Sequence, residues 1–326
     1  YPRRDMLTKY FKHDNQPWLD RMKAQGFAVM SQGRSNYQKT LWSLSSMLNM
    51  DYIPALLPDM KEDDTDLKPL MKLYQKNRVF SLLRSRGYET HAFGTGYDLA
   101  DLMGHVDAFH LVGKGGNNFE AMLMQLTPIP AALRKVGGGD VFFQQHRDRV
   151  HAVFERTVGL APERAGRPRM VLSHIIAPHP PIVFGREGEP VQLQKVFRWG
   201  VGQPDGVSES EYRKAYSDQL LDLNRLLEEA AQKIAADATV PPVILIVSDH
   251  GLLNVPDKAP EGYVNNLCLA RLPEQYTPAF YPEMTLVNLF PIVLKQLFGE
   301  DIPLKEDRSF LTSWEQPYRF KPVLRK

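Results

Sequence analysis

The sequence predicts an α/β fold built on a mostly parallel sheet, and three observations carry that expectation. The first is the run Pro242-Val243-Ile244-Leu245-Ile246-Val247, which passes abruptly into Ser248-Asp249-His250-Gly251. Five consecutive apolar residues, mostly β-branched, read as a strand buried on both faces, as strands of parallel sheets are. Pro241 and Pro242 keep a helix from running into it. The second is a helix–Gly–strand unit that occurs twice, ending in Gly26-Phe27-Ala28-Val29-Met30 and in Gly87-Tyr88-Glu89-Thr90-His91-Ala92-Phe93. The third is the continued alternation of helical and short apolar segments along the chain, the pattern of parallel βα units.

In chain order, Arg4 to Lys12 reads as a short helix, and Asn15-Gln16-Pro17 starts a second that Gly26 stops. Phe27 to Met30 is a strand. Ser31 to Lys39 is a polar loop, and Thr40 is expected to cap a helix over Leu41 to Asn49, whose Leu41, Leu44, Met47 and Leu48 share one face. Asp51 to Asp66 is an acidic loop without the alternating oxygen ligands of a calcium site. Lys68 to Arg86 is one helix, and strands are expected over Tyr88 to Phe93 and Asp107 to Val112. Asn118 to Leu126 and Val141 to Val158 are helices, the second with His146 and His151 on a solvated face. Arg169 to Ile176 is a strand leading into Ala177-Pro178-His179-Pro180-Pro181. Residues 185–206 form a surface insertion, and Ser208 to Asp237 is a long helix opened by a capping box. After the 242–247 strand come a strand over Asn266 to Leu272, a helix over Leu286 to Phe298 and a polar tail. No repeat or linker divides the chain, so 1–326 reads as a single domain.

Composition narrows the function. Forty basic against 38 acidic residues leave a formal charge of +2, which gives no reason to expect a nucleic-acid partner. The single cysteine, Cys268, excludes an internal disulfide and a thiolate zinc cluster, and its apolar surroundings mark a buried structural thiol. No run approaches the ~20 apolar residues of a membrane helix. The chain opens on Tyr1-Pro2-Arg3-Arg4-Asp5, a loop with no strand before it, and reads as a piece of a longer protein.

Two stretches could carry chemistry. Asp249 and His250 stand where α/β sheets bind ligands, at the carboxyl end of a strand. A carboxylate and an imidazole side by side suit one divalent cation, and Gly251 lets the backbone turn away. The plainer alternative is an Asp capping the next helix beside a surface His. Thr40 sits at a helix N-terminus, where free N–H groups and a positive field could hold an anion while the hydroxyl attacks it. A hydroxyl needs a base or metal to become a nucleophile at neutral pH. Its plain reading is an N-cap. His179, stiffened between prolines, could bind a second metal or donate to a substrate oxyanion. His174 is a substrate-side candidate whose place in an apolar strand favours a core histidine, and Asn36 is a further substrate-side candidate.

Taken together, the segment Ser35-Asn36-Tyr37-Gln38-Lys39-Thr40-Leu41-Trp42-Ser43, the turn Ala177-Pro178-His179-Pro180-Pro181 and the tetrapeptide Ser248-Asp249-His250-Gly251 resemble the sulfatase-like hydrolases and transferases of the alkaline phosphatase superfamily, of the bacterial membrane-anchored type. The resemblance implies an alkaline-phosphatase-like three-layer sandwich with a mostly parallel central sheet flanked by helices. It implies Thr40 as metal-bound nucleophile, Asp249 and His250 as ligands to one divalent ion (Mn, Mg or Zn) or to one of two, and His179 on the substrate side. Threonine in place of a formylglycine-forming cysteine points to phosphate esters and a covalent phosphothreonine. A sulfuric-ester hydrolase and a non-catalytic binding domain are the alternatives. The substrate would be a phosphate or sulfate ester, lipid- or glycan-linked in related proteins. The location would be the extracytoplasmic, periplasmic face of a bacterial membrane, reached through segments outside this chain. The family begins with a strand ending in a metal-binding acid. Tyr1 to Asp5 resembles the stretch just after that acid, so the acid and its strand are expected upstream and this fragment is expected to hold metal weakly or not at all.

Overall fold

A computed structural model describes residues 1–113, 123–124, 126–129, 141–161, 166–194, 197, 202–238 and 240–325. The chain packs as two compact units, one made of Tyr1–Tyr88 with Ala238–Lys326 and the other of Glu89–Asp237. Among the described residues no helix is long and apolar enough to cross a membrane.

The first unit holds a three-stranded sheet in the order β1 (Ala28–Val29), β6 (Cys268–Arg271), β5 (Ile244–Val247). The apolar run 243–247 does form the expected strand, but its pairing is antiparallel, with Ile244 opposite Arg271 and Val247 opposite Cys268. The reason is local. After β5 the chain goes through the turn 248–251 and a short helix, Pro260–Val264, and returns directly alongside the strand it left. Lying at the edge of this sheet, the four residues of β5 are half-buried, while Cys268, Leu269 and Ala270 of the central β6 are buried. Burial pushes the Cys268 thiol up to about 12, which fits an inert core residue.

Helices over Arg4–Met6, extended by a π-helical stretch over Leu7–Phe11, and over Gln16–Ala24 precede β1. The helix after the polar loop spans Thr40–Asn49, and Leu41 through Asn49 are all buried. Such a helix belongs inside a core rather than on its surface, and its indole Trp42 donates to the Pro317 carbonyl at 2.7 Å. The single helix expected over 68–86 is two, Lys68–Gln75 and Arg78–Ser85. Asn77 breaks it: its Oδ1 accepts from Phe80 N at 2.9 Å, an N-cap in the middle of an otherwise continuous apolar pattern. The last helix, Leu289–Phe298, is entered through a 3₁₀ turn over Leu286–Asn288 and stopped by Gly299 in the left-handed region at φ 69°.

The second unit holds a parallel sheet in the order β3 (Ala108–His110), β2 (Glu89–Phe93), β4 (Arg169–Leu172), with His91 paired to Ala108 and Val171. The Tyr88–Phe93 unit pairs in parallel as the sequence suggested, but the Phe27–Met30 unit does not join its sheet, since β1 pairs antiparallel with β6 in the first unit. Helices over Val141–Gly159 and Glu209–Asp237 belong to the same unit, the second capped by Ser208, whose Oγ accepts from Glu211 N at 3.2 Å. The helix expected over 118–126 falls largely outside the described residues. At the start of the 185–206 insertion, Phe184 and Pro190 form an isolated antiparallel bridge across its first turn.

Candidate active site

The turn after β5 is held rigidly from three sides. Ser248 N donates to Leu267 O at 2.9 Å, and the Asn266 side-chain amide donates to Ser248 O. Ser248 Oγ donates to His250 O at 2.7 Å and accepts from the Tyr1 nitrogen at 2.6 Å. Gly251 N and Leu252 N donate to Tyr263 O and Gly262 O at 2.9 and 2.8 Å. Gly251 is needed for closeness rather than for an unusual φ. A Cβ there would stand 2.5 Å from Gly262 O and 2.8 Å from Asn265 O.

On this frame the two side chains converge. His250 is buried, and its Nδ1 lies 3.0 Å from Gly251 O, which assigns the proton to Nδ1 and leaves the Nε2 lone pair outward. Nε2 stands 3.4 Å from Asp249 Oδ2, with the side chains 9% and 16% exposed. Bonds of about 2.0–2.2 Å at tetrahedral angles put adjacent ligand atoms about 3.3–3.6 Å apart. The pair therefore fits a divalent ion, with His250 oriented through its backbone partner as metal-bound histidines are. Among the described residues there is no group of three or more His, Cys, Asp or Glu that could hold a metal. Asp249 and His250 alone would not complete a metal site among the described residues.

Thr40 reaches its position by a braced approach. Arg34 is bridged to Asn265 and to Thr285, and Ser35 N donates to Val264 O at 2.8 Å. Tyr37 is fully buried, its hydroxyl accepting from Ile53 N at 3.0 Å. Thr40 is not the cap that the sequence suggested. Lys39 takes the N-cap position with φ −125° and ψ 139°, it makes no side-chain cap bond, and Thr40 is the first helical residue, half-buried. Its hydroxyl and the first turn's N–H groups are therefore not committed to capping one another.

The short segment 262–266 is what unites these parts. Gly262 O and Tyr263 O hold the turn that carries Asp249 and His250, Val264 O holds Ser35, and Asn266 holds Ser248. The threonine segment and the Asp–His turn share one brace. The sequence does not announce this segment because its ligands are main-chain carbonyls. Pro260 and Gly262 within a five-residue helix, and the pair Asn265-Asn266 just after it, were the available signal.

Asn36, expected on the substrate side, is instead a structural brace. It is fully buried, its Oδ1 accepts from Val287 N at 2.6 Å, and its Nδ2 donates to Arg308 O at 2.9 Å and Tyr52 Oη at 3.1 Å. Asn36→Ala should cost about 1–3 kcal/mol, read as a shifted urea midpoint with an unchanged slope, because the buried Val287 N–H loses its acceptor and the Arg308 carbonyl and Tyr52 hydroxyl each lose a donor.

His174 and His179 belong to the second unit. β4 ends at Leu172, so His174 lies beyond the strand rather than inside it. His179 is half-buried between the buried Pro178 and Pro180, with its Nδ1 on the Pro180 carbonyl. His146 corrects the reading of the 141–159 helix. It is 2% exposed, on the buried stripe with Phe142, Val150, Val153 and Phe154, and burial, then Arg149 and His179, pull it down to about 3. The spacing Phe142, His146, Val150 was the missed signal. His151 is half-buried, its ring edge-on to Phe184 at 5.0 Å.

No protein-family profile matches the chain, and no curated protein matches it in sequence. Solved structures do. The C-terminal periplasmic domain of EptC from Escherichia coli, in complex with zinc, is 12% identical over 98% of this chain and 89% of that one, with a TM-score of 0.62. The C-terminal periplasmic domain of the phosphoethanolamine transferase EptC from Campylobacter jejuni is 12% identical over 88% and 82%, with a TM-score of 0.52. A protein in the alkaline phosphatase superfamily from Vibrio parahaemolyticus is 11% identical over 94% and 70%, with a TM-score of 0.50. The chain has the α/β fold of the alkaline phosphatase superfamily, as its motifs implied.

Proposed function

We propose that this chain is the catalytic domain of a metal-dependent phosphoryl transferase or hydrolase that works through a phosphothreonine at Thr40. The observation that supports it most is the shared brace, which ties the threonine segment and the Asp249–His250 turn to the same five residues. The fold is that of a phosphoethanolamine transferase domain and of an EptC domain solved with zinc, which supports both the phosphate-ester chemistry and the metal.

Asp249 and His250 would hold the ion, and a bound divalent ion supplies Lewis acidity that lowers the pKa of a neighbouring hydroxyl. Thr40 Oγ forms a bond to phosphorus as the ester's P–O bond breaks, and the alcohol leaves with a proton. The N–H groups at the start of the 40–49 helix favour the charge that builds on the phosphoryl oxygens. Water or a second alcohol then attacks the phosphothreonine, restores the hydroxyl and carries the group away. The role of His179, as hydrogen-bond donor to a substrate oxyanion, stands on the sequence alone. A periplasmic location and a lipid- or glycan-linked ester rest on the resemblance.

The decisive experiment is mass spectrometry of the chain, extended upstream of Tyr1 and supplied with Mn or Zn, after brief exposure to aryl phosphate and phosphodiester substrates. A phosphoryl or phosphodiester adduct on the peptide containing Thr40 is expected, and turnover with an unmodified Thr40 would refute the mechanism. Asp249→Asn should weaken metal binding by more than the 10–100-fold typical of outer-shell changes, measured by competition with a chromogenic chelator. The absence of a three-ligand cluster among the described residues favours a second reading, a binding domain with an incomplete metal site. Lack of stoichiometric metal in the extended chain would select it.

A further inference from the structure

A cavity of about 440 Å³ in the first unit lies apart from Thr40, Asp249 and His250, none of which lines it. We propose that it binds a phosphate ester the size of a glycerol or sugar phosphate. The volume is within the range of small-molecule sites, about 300–1,000 Å³.

The wall carries four cations, Arg3, Arg4, Lys9 and Lys23, and a single carboxylate, Asp5. The acids that partner the other three cations, Asp14, Asp257 and Asp20, are not part of the lining. An anion inside therefore meets the cations first. Arg3 is pre-set for it. Asp5 grips its Nε and Nη2 at 2.8 and 2.7 Å, and Gly33 O accepts from Nη1 at 3.0 Å. Three of the five guanidinium N–H groups are thereby used, which fixes the plane and leaves two to donate. Arg4 gives only Nε to Asp14, at 2.9 Å, and Lys23 Nζ stands 3.7 Å from Asp20, beyond hydrogen-bond length. Both pairs are exposed, and such pairs are worth about 0–1 kcal/mol, so an entering phosphate displaces them at little cost. Cations approaching from several directions suit a tetrahedral dianion better than a planar carboxylate.

The floor explains why an ester and not a bare ion. Leu19, Met30, Leu267 and Cys268 supply apolar surface beneath the basic rim, a match for the carbon body of an ester. Asn266 also lies in the lining, and its amide donates to Ser248 O, one residue from Asp249. The cavity and the candidate active site thus share one buried residue, Asn266. The inference does not depend on the phosphothreonine mechanism.

The phosphate could belong to a soluble ester or to a phosphoglycerol lipid headgroup, and one experiment separates them. The full chain carrying Asp249→Asn, so that ester binding at the catalytic turn is suppressed, is titrated calorimetrically with glycerol 3-phosphate at low salt. In parallel it is sedimented with phosphatidylglycerol vesicles and with phosphatidylcholine vesicles. Saturable one-to-one binding of glycerol 3-phosphate, weakened at least tenfold by Arg4→Ala with Lys23→Ala, supports a soluble ester. Sedimentation only with phosphatidylglycerol, lost in the same double variant, supports the headgroup. Both substituted side chains are about half exposed, so the fold should survive, which circular dichroism checks. Absence of saturable binding in both arms, or binding indifferent to the double variant, overturns the proposal.

Discussion

Thr40→Ala is expected to remove turnover, by on the order of 10⁴-fold or more, while the melting temperature stays within a degree or two of the parent. The two halves of that expectation have separate causes. A hydroxyl that accepts the phosphoryl group has no substitute once the oxygen is gone. Stability is spared because Thr40 is the first residue of its helix and not its cap, and no cap bond from the side chain of Lys39 is present to lose. A capping threonine would cost about 1 kcal/mol on removal, whereas alanine at a helical position gains a few tenths in propensity. Thr40→Ser should keep a substantial share of the activity. Steady-state kinetics on an aryl phosphate, with thermal unfolding of the same preparations, check both halves. Equal turnover by the alanine variant would remove the covalent mechanism, and a large loss of stability would show that Thr40 is structural.

The contrast between Thr40 and the segment 262–266 shows what the sequence could disclose. Candidates for chemistry are written in residue types. Thr40 at a helix start, His179 between prolines and Asp249-His250 after an apolar strand could be picked out, and the α/β class came from helix–Gly–strand units. Whatever depends on main-chain atoms, or on which neighbour a strand takes, could not be read. The carbonyls of Gly262, Tyr263 and Val264 that hold the site look the same in any sequence. The run 243–247 announced a strand, but the antiparallel direction of its partner came from the 20-residue return through 248–267, which carries no periodic pattern. Asn36 and His146 were misread for a related reason. Polar residues default to surface or function, and burial with complete hydrogen bonding, or a place on an apolar helical stripe, appears only once the partners are assembled.

Gly251→Ala tests whether the brace matters more than any single functional side chain. The added Cβ would lie 2.5 Å from Gly262 O, 2.8 Å from Asn265 O and 3.0 Å from Tyr263 C, all backbone atoms. Backbone cannot rotate aside as a side-chain tip can, so either the 248–251 turn or the 262–265 segment must move. Movement of the turn displaces Asp249 and His250, and movement of the segment takes Val264 O from Ser35 and so disturbs the approach to Thr40. The expected result is a loss of about 3 kcal/mol, at the upper end for overpacking, together with loss of metal binding and of Thr40 modification. Gly262→Ala provides the control on the same brace. Its Cβ would meet Val255 Cγ2 and Cγ1 at 2.7 and 2.8 Å, which are side-chain atoms. Val255→Ala should therefore rescue Gly262→Ala in urea unfolding, whereas no side-chain truncation should rescue Gly251→Ala. If Gly251→Ala retained parental stability and metal affinity, the turn would be free to adjust, and the shared 262–266 brace would lose its claim to hold the Asp–His pair in place.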